Sequence, residues 1–315
     1  PFSVGKVGLR RMRCYPRGLD VFAALGTPLA KEILAEEWDS AYVGFAGARD
    51  TLEGKLAALN DLDWHRSVPW ASLHALRALV NPVDEGYPPF MQTSAWNAKE
   101  LNTALASWTA LRPASAVARF EDQSGRQSRL SAHANAPASV EPMPEFYGRL
   151  LAAVRLTREG LLWLGALTTD MQTRFVELEE VIERLVTITT KSLQNEGWTD
   201  DERDFVRSVA EILDAVAKDT GGFGVPTTTV SDLPAAGNAV GAVAQQAVGH
   251  VDLLLAVCPG DDGSAFLAAG PVLSYYEFKQ AGAEPLTNEA WRTSLASGYV
   301  PARPGWFVSH SSVAE

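Results

Sequence analysis

A chain of 315 residues can bury one large core or two smaller ones, and 46% apolar with 21% charged residues is a globular composition, not a disordered one. A formal net charge of −11 argues against nucleic acid and anionic membrane as partners, because both would repel the chain. Two cysteines, Cys14 and Cys258, are too few for a disulfide framework or a structural zinc site. They leave either one bridge or two thiols, and Cys258, which ends an apolar run, reads as a buried thiol. No run of about eighteen apolar residues reads as a membrane span. The chain opens at Pro1 without an initiator Met, so the lack of an export signal carries little weight.

Residues 1–28 are rich in Gly, Arg and Pro and read as irregular, apart from Gly18-Leu-Asp-Val-Phe-Ala-Ala-Leu-Gly26, a short apolar helical turn closed by glycine. Residues 28–37 read as a helix with proline in its first turn, and 42–48 as a connector. Asp50-Thr-Leu-Glu53 has the form of a capping box opening a helix to residue 60. After a turn at 63–67, Pro69 starts a helix to residue 80 with Trp70, Leu73, Leu76, Leu79 and Val80 on one face. His74 lies beside that stripe and reads as a packed residue, not a ligand.

Residues 87–112 are the densest part of the sequence. Pro88 and Pro89 forbid helix, Thr93 or Ser94 can cap, and no Gly or Pro intervenes from Ala95 until a proline stop at Pro113. Trp96, Leu101, Ala104, Leu105, Trp108 and Leu111 make one apolar stripe, while Asn97, Lys99, Glu100, Asn102 and Thr103 fill other positions. The helix belongs in a core, and Asn102, Trp108 and Arg112 are candidates to line a binding site.

Residues 114–142 read as a long loop with one strand at 116–120, and so as a lid or partner-binding segment or, equally, as a disordered stretch. Three helices follow: 144–167, with Phe146, Leu150, Leu151, Val154, Leu161 and Leu164 apolar; 169–195; and one opened by the capping box Thr199-Asp-Asp-Glu202 and closed by Gly221-Gly222. Glu177, Glu179, Glu180 and Glu183 read as a solvated face, because no Glu-x-x-His pairing accompanies them. Residues 238–248 read as a short buried helix. Gly237-Asn-Ala-Val-Gly241 does not fit a phosphate loop. Strands at 251–258, 265–269 and 272–278 predict a small antiparallel meander around the turn Pro259-Gly-Asp-Asp-Gly263. Asp252, Asp261 and Asp262 there fit turn chemistry better than a calcium site. A helix at 287–297 capped by Thr287 and a polar tail at 301–315 with Trp306 complete the chain.

No Gly-x-Ser-x-Gly context supports a Ser-His-Asp triad, and His65, His74, His133, His250 and His310 lack metal-ligand spacing. Neither metal nor cofactor is expected. Glu277 sits among Tyr275, Tyr276 and Phe278. Alternation puts Tyr275 and Glu277 on one face of the strand, where Glu277 is a raised-pKa acid if buried and an ordinary surface carboxylate if solvated. Glu277 and Arg112 are the catalytic candidates; Asn102, Trp108, Arg112, Tyr275 and Tyr276 are the binding candidates.

Several segments together resemble domain-of-unknown-function family 3160. They are residues 18–26, residues 87–112, Glu141-Pro-Met-Pro-Glu-Phe-Tyr-Gly-Arg-Leu150, Thr157-Arg-Glu-Gly160, Gly270-Pro-Val-Leu-Ser-Tyr-Tyr-Glu-Phe278 and Ala302-Arg-Pro-Gly-Trp306. They occur in family order over most of the chain. The resemblance implies an exported protein, extracellular, periplasmic or at the cell surface, often lipid-anchored. Members are about twice as long, so this chain is similar to their C-terminal part, which implies a missing or separately encoded N-terminal half. Two departures stand out. Pro113-Ala114 replaces a His-Asp that follows the Ser-Trp-x-x-Leu-Arg segment, and Asp232-Leu-Pro234 replaces an Asp-Val-His. A site built on those histidines in the family would be lost here.

The expected fold is mainly α, a single main domain of packed antiparallel helices, with a helical toroid as one arrangement, and a small β-meander near the C terminus. Its parts are 1–113, the loop 114–142, a helical bundle at 143–222 and a mixed segment at 223–315. The expected function is non-enzymatic: an exported structural or partner-binding component, with a protein partner. The alternative is a hydrolase acting on saccharide or peptide with Glu277 as acid/base.

Overall fold

The computed structural model describes residues 2–7, 9–115, 139–218, 228–233, 242–260, 264–281 and 284–308. The strand expected at 116–120, the glycine closure at 221–222 and the 237–241 segment lie outside the described residues. The N-terminal segment is not irregular: β1 (Val4–Val7) pairs antiparallel with β2 (Arg10–Arg13). Helices α1 (Gly18–Ala24), α2 (Pro28–Glu36), α3 (Phe45–Ala57), α4 (Asp61–Trp64) and α5 (Val68–Leu79) follow. Helix α3 starts five residues ahead of the Asp50 box, because Gly44 takes a left-handed conformation (φ +81°) that turns the chain into the helix. Asp50 instead accepts from its neighbour Arg49 at 2.7 Å.

After a 3₁₀ turn (Pro89–Gln92), Thr93 caps α6 (Ser94–Ser115), accepting from Trp96 N–H at 3.2 Å. The helix passes through Pro113, its last turn held by Arg112, which donates to the Asp232 carbonyl at 2.6 Å. Most of its predicted polar positions are not exposed, Asn97 excepted. Leu101, Ala104 and Leu105 are buried, but so are Lys99, Glu100, Asn102 and Thr109, while Leu111 of the apolar stripe is exposed. A helix enclosed nearly all round sits at the centre of a core, and its polar groups must be paired within the protein.

The remaining helices are α7 (Pro144–Trp163), α8 (Thr169–Leu193), α9 (Asp200–Lys218), α10 (Asn288–Ser297) and α11 (Gly305–Val308). The Thr199 capping box forms as expected: Glu202 N–H donates to Thr199 Oγ1 at 3.2 Å and Thr199 N–H to Glu202 at 2.8 Å. Among the described residues the helices pack in an open succession, α5 on α6 and α7, α7 on α8, α8 on α9.

The strands are β3 (Thr229–Leu233), β4 (Ala242–Val248), β5 (Asp252–Pro259), β6 (Ala265–Val272) and β7 (Tyr275–Ala281). β4 stands where a helix was expected. It is the central strand of a sheet ordered β3-β4-β7 and is buried on both faces, so it shows none of the alternation that marks a half-exposed strand. The predicted meander is split. β5 and β6 pair only with each other, while β7 crosses to β4 in antiparallel register, Gln246 opposite Glu277 and Val248 opposite Tyr275.

The main core joins α1, α2, α4, α5 and α6 (Leu19, Phe22, Leu34, Trp64, Leu76, Leu105) to Val248 and Tyr275 of the three-stranded sheet. On that sheet's far side Tyr276 and Phe278 pack on Trp291 of α10. A satellite core of Val181, Leu185, Ile188, Phe205 and Val206 joins α8 to α9. Each such side chain contributes roughly 1.5–3 kcal/mol by burial.

Candidate functional site

Glu277 and Arg112 are brought together through one residue. Arg112 Nη1 donates to Gln246 Oε1 at 3.1 Å, and Gln246 Nε2 reaches Glu277 Oε1 at 3.4 Å. The register sets this up, since Gln246 and Glu277 lie directly opposite on one face of the sheet. Tyr275 shares that face, as alternation predicted, and its hydroxyl donates to Glu277 at 3.1 Å while accepting from Gln246 at 2.6 Å. Complete burial, reinforced by the neighbouring carboxylate, pushes the Tyr275 phenol well above its ordinary pKa.

The solvated reading of Glu277 does not hold: its side chain is 2% exposed. Sequence reasoning missed what neutralises it. Arg17, 4% exposed, donates through Nε to Glu277 at 2.7 Å and through Nη1 to Asp39 at 2.7 Å and to Glu37. The Gly18 N–H adds a bond to Glu277 Oε1 at 3.2 Å. Burial alone would lower the Arg17 pKa, but Glu277 and Glu37 outweigh it and the net shift is upward. Asp39, which also accepts from the Ser3 hydroxyl, is held below the usual carboxylate range by its Ser3 and Arg17 bonds against the opposing effect of burial. Around Glu277 the backbones approach closely: a Cβ on Gly18 would lie 2.5 Å from Leu105 Cδ2 and against the Gln246 amide. Arg17 and Glu277 are 260 residues apart in sequence, and no local pattern announces the pair.

The other candidates are similarly engaged. Asn102, fully buried, donates to the Leu273 carbonyl at 2.6 Å and accepts from Arg303, which also pairs with Asp252 at 2.9 Å. That bond ties the Ala302–Trp306 motif to α6 and gives Asp252 a cation of the protein's own. Trp108 packs against the main core. Tyr276 meets Trp291 edge-on at 5.2 Å. His74 is buried, stacks on Trp64 at 4.8 Å, and has its pKa lowered to about 4 by burial and by Arg149 nearby. Cys14 and Cys258 are both free and buried, not bridged. Among the described residues no group of three His, Cys, Asp or Glu is placed to hold a metal ion.

A second charged cluster opens on a cavity. Lys99 Nζ donates to Glu100 at 2.8 Å and to Glu141 at 2.9 Å, and lies 3.8 Å over the Trp96 ring. Burial, helped by Glu141 and opposed by Lys99, pushes Glu100 up to about 8. The cavity beside it, lined also by Leu79, Thr103, Phe146 and Leu273, measures about 190 Å³. That has room for a few waters, short of the roughly 300 Å³ at which ligand pockets begin.

The β5–β6 pair turns an apolar face to solvent. Antiparallel pairing puts Leu253, Leu255, Val257 and Pro259 of β5 on one face with Pro271, Ala269, Leu267 and Ala265 of β6. All of these are exposed, with Leu255 at 58% and Leu267 at 65%. The opposite face sends Leu254 and Ala256 into the main core. The alternation that places these side chains was legible in the sequence; which face is left bare was not.

No curated protein and no solved structure matches the chain. A family model described as protein of unknown function, DUF3160, matches residues 3–307, nearly the whole sequence. It spans every described element from the β1–β2 hairpin to the Arg303 tether, and the chain therefore belongs to the DUF3160 family.

Proposed function

We propose that the protein is a non-enzymatic component that binds another polypeptide through the outer face of β5–β6. One observation carries the reading. The outward positions of an antiparallel pair with one face in the core are ordinarily polar, and here every one is apolar and exposed. Among the described residues neither outer edge of the pair has a strand neighbour, so a partner's strand can add to it. A second copy would bring another charge of −11, which favours a less acidic partner over self-association. The hydrolase alternative needs Glu277 open to substrate, and its four internal partners favour the binding reading. Location outside the cytoplasm belongs to the same proposal and is tested by protease accessibility in intact cells.

The deciding experiment purifies the wild-type chain and the Leu255→Lys/Leu267→Lys variant from the native source. A stoichiometric partner on the wild type, lost from an equally stable variant, is the expected result. A chain that sediments alone, or a partner kept by the variant, overturns it. Turnover of a saccharide or peptide abolished by Glu277→Gln would establish the hydrolase instead.

A further inference from the structure

A different apolar feature lies at the α7–α8 turn. Residues 161–167 read Leu-Leu-Trp-Leu-Gly-Ala-Leu, with no polar side chain. A longer helix was expected to carry Leu161 and Leu164 into the core. Instead α7 stops at Trp163, and Leu162 is 55%, Trp163 86% and Leu164 67% exposed.

Three N–H groups of the turn are bonded within it. Leu164 N–H donates to the Gly160 carbonyl at 3.0 Å, Gly165 to Leu162 at 3.0 Å and Ala166 to Leu161 at 2.9 Å, with Gly165 left-handed at φ +64°. On the other flank Met171 N–H reaches Thr168 Oγ1 at 3.2 Å and Gln172 N–H the Thr168 carbonyl at 2.9 Å. Each peptide group bonded internally lowers the cost of approaching an apolar layer, and the groups left open stay at the hydrated headgroup level in a shallow contact. Behind the tip the charges are paired: Arg158 with Glu179 at 2.6 Å, Arg174 with Asp170 at 2.9 Å. An indole at such a boundary suits the interface between headgroups and acyl chains.

We propose that the α7–α8 tip dips Leu162, Trp163 and Leu164 into the interface of a zwitterionic lipid bilayer, giving the protein a shallow, reversible membrane contact. The net charge of −11 supplies no attraction to anionic headgroups, so apolar insertion carries the contact. This is a surface contact; among the described residues no helix is long and apolar enough to cross a membrane.

The test floats the full chain with phosphatidylcholine vesicles. Wild type co-floats, and Trp163→Asp/Leu164→Asp lowers the bound fraction about tenfold with unchanged circular dichroism and unfolding midpoint, since both side chains project into solvent. Brominated acyl chains quench part of the wild-type tryptophan emission, and Trp163→Phe removes that part while still floating. Four results overturn the proposal: a wild type that stays in the soluble fraction, a variant that floats equally, binding that requires phosphatidylserine, or a variant whose only loss is a bound protein.

Discussion

The two sheets divide the molecule's chemistry in an unexpected way. The β3-β4-β7 sheet carries the residues that look reactive, Glu277, Tyr275 and Gln246, yet it is covered on both faces and every one of them is bonded inside the protein. The β5–β6 pair carries residues that look like core, Leu253, Leu255, Val257 and Leu267, yet they face solvent. Residue type alone therefore points to the wrong sheet. A carboxylate must be reachable to do chemistry, and Glu277 is 2% exposed and already holds Arg17. A leucine is structural only when something covers it.

The strongest way to break this contrast is to open the closed sheet. Arg17→Ala leaves Glu277 and Asp39 buried without their shared cation, and a cost of about 3–5 kcal/mol in denaturant unfolding is expected; a loss under 1 kcal/mol would mean the network is not what holds the N-terminal segment to the sheet. Gly18→Ala pushes a methyl against Leu105 and the Gln246 amide, for about 1–3 kcal/mol on the same measurement.

Two pH effects sharpen it further. The folded-state pKa of Glu100 is raised to about 8, so the stability linked to its protonated form is complete below about 4.5 and is lost as pH rises through 8. Glu100→Gln should flatten the decline in unfolding midpoint between those values. His74 acts on the acid side. With its folded pKa lowered to about 4, its contribution is present above about 6.5 and lost as pH falls toward 4, and His74→Gln should remove that slope. Least of all, Leu255→Lys on the open sheet should change stability by no more than about 0.5 kcal/mol while weakening the partner contact. A large destabilisation would show that the face is covered within the protein itself.

Much of the helical architecture was legible because its determinants lie within a turn or two of each other. The Thr93, Thr199 and Thr287 caps and the first-turn prolines of α2, α5 and α7 act on backbone groups three or four residues away, and the structure uses all of them. Period-two alternation likewise sorted Tyr275 and Glu277 from Tyr276 and Phe278. Periodicity failed at β4, where burial on both faces erases the pattern, and at α6, where Lys99, Glu100 and Asn102 lie off the apolar stripe and are buried all the same.

The amino-acid sequence by itself determined where most helices begin, which side of β7 each residue takes and that the chain is mainly α-helical. Only the tertiary structure decided that β7 leaves β6 for β4, that Arg17 meets a carboxylate 260 residues away, and which face of β5–β6 stays bare. The reason is physical. Capping and periodicity are short-range preferences written in neighbouring residues, whereas strand pairing, countercharge and exposure are set by which distant surfaces are brought together when the whole core closes.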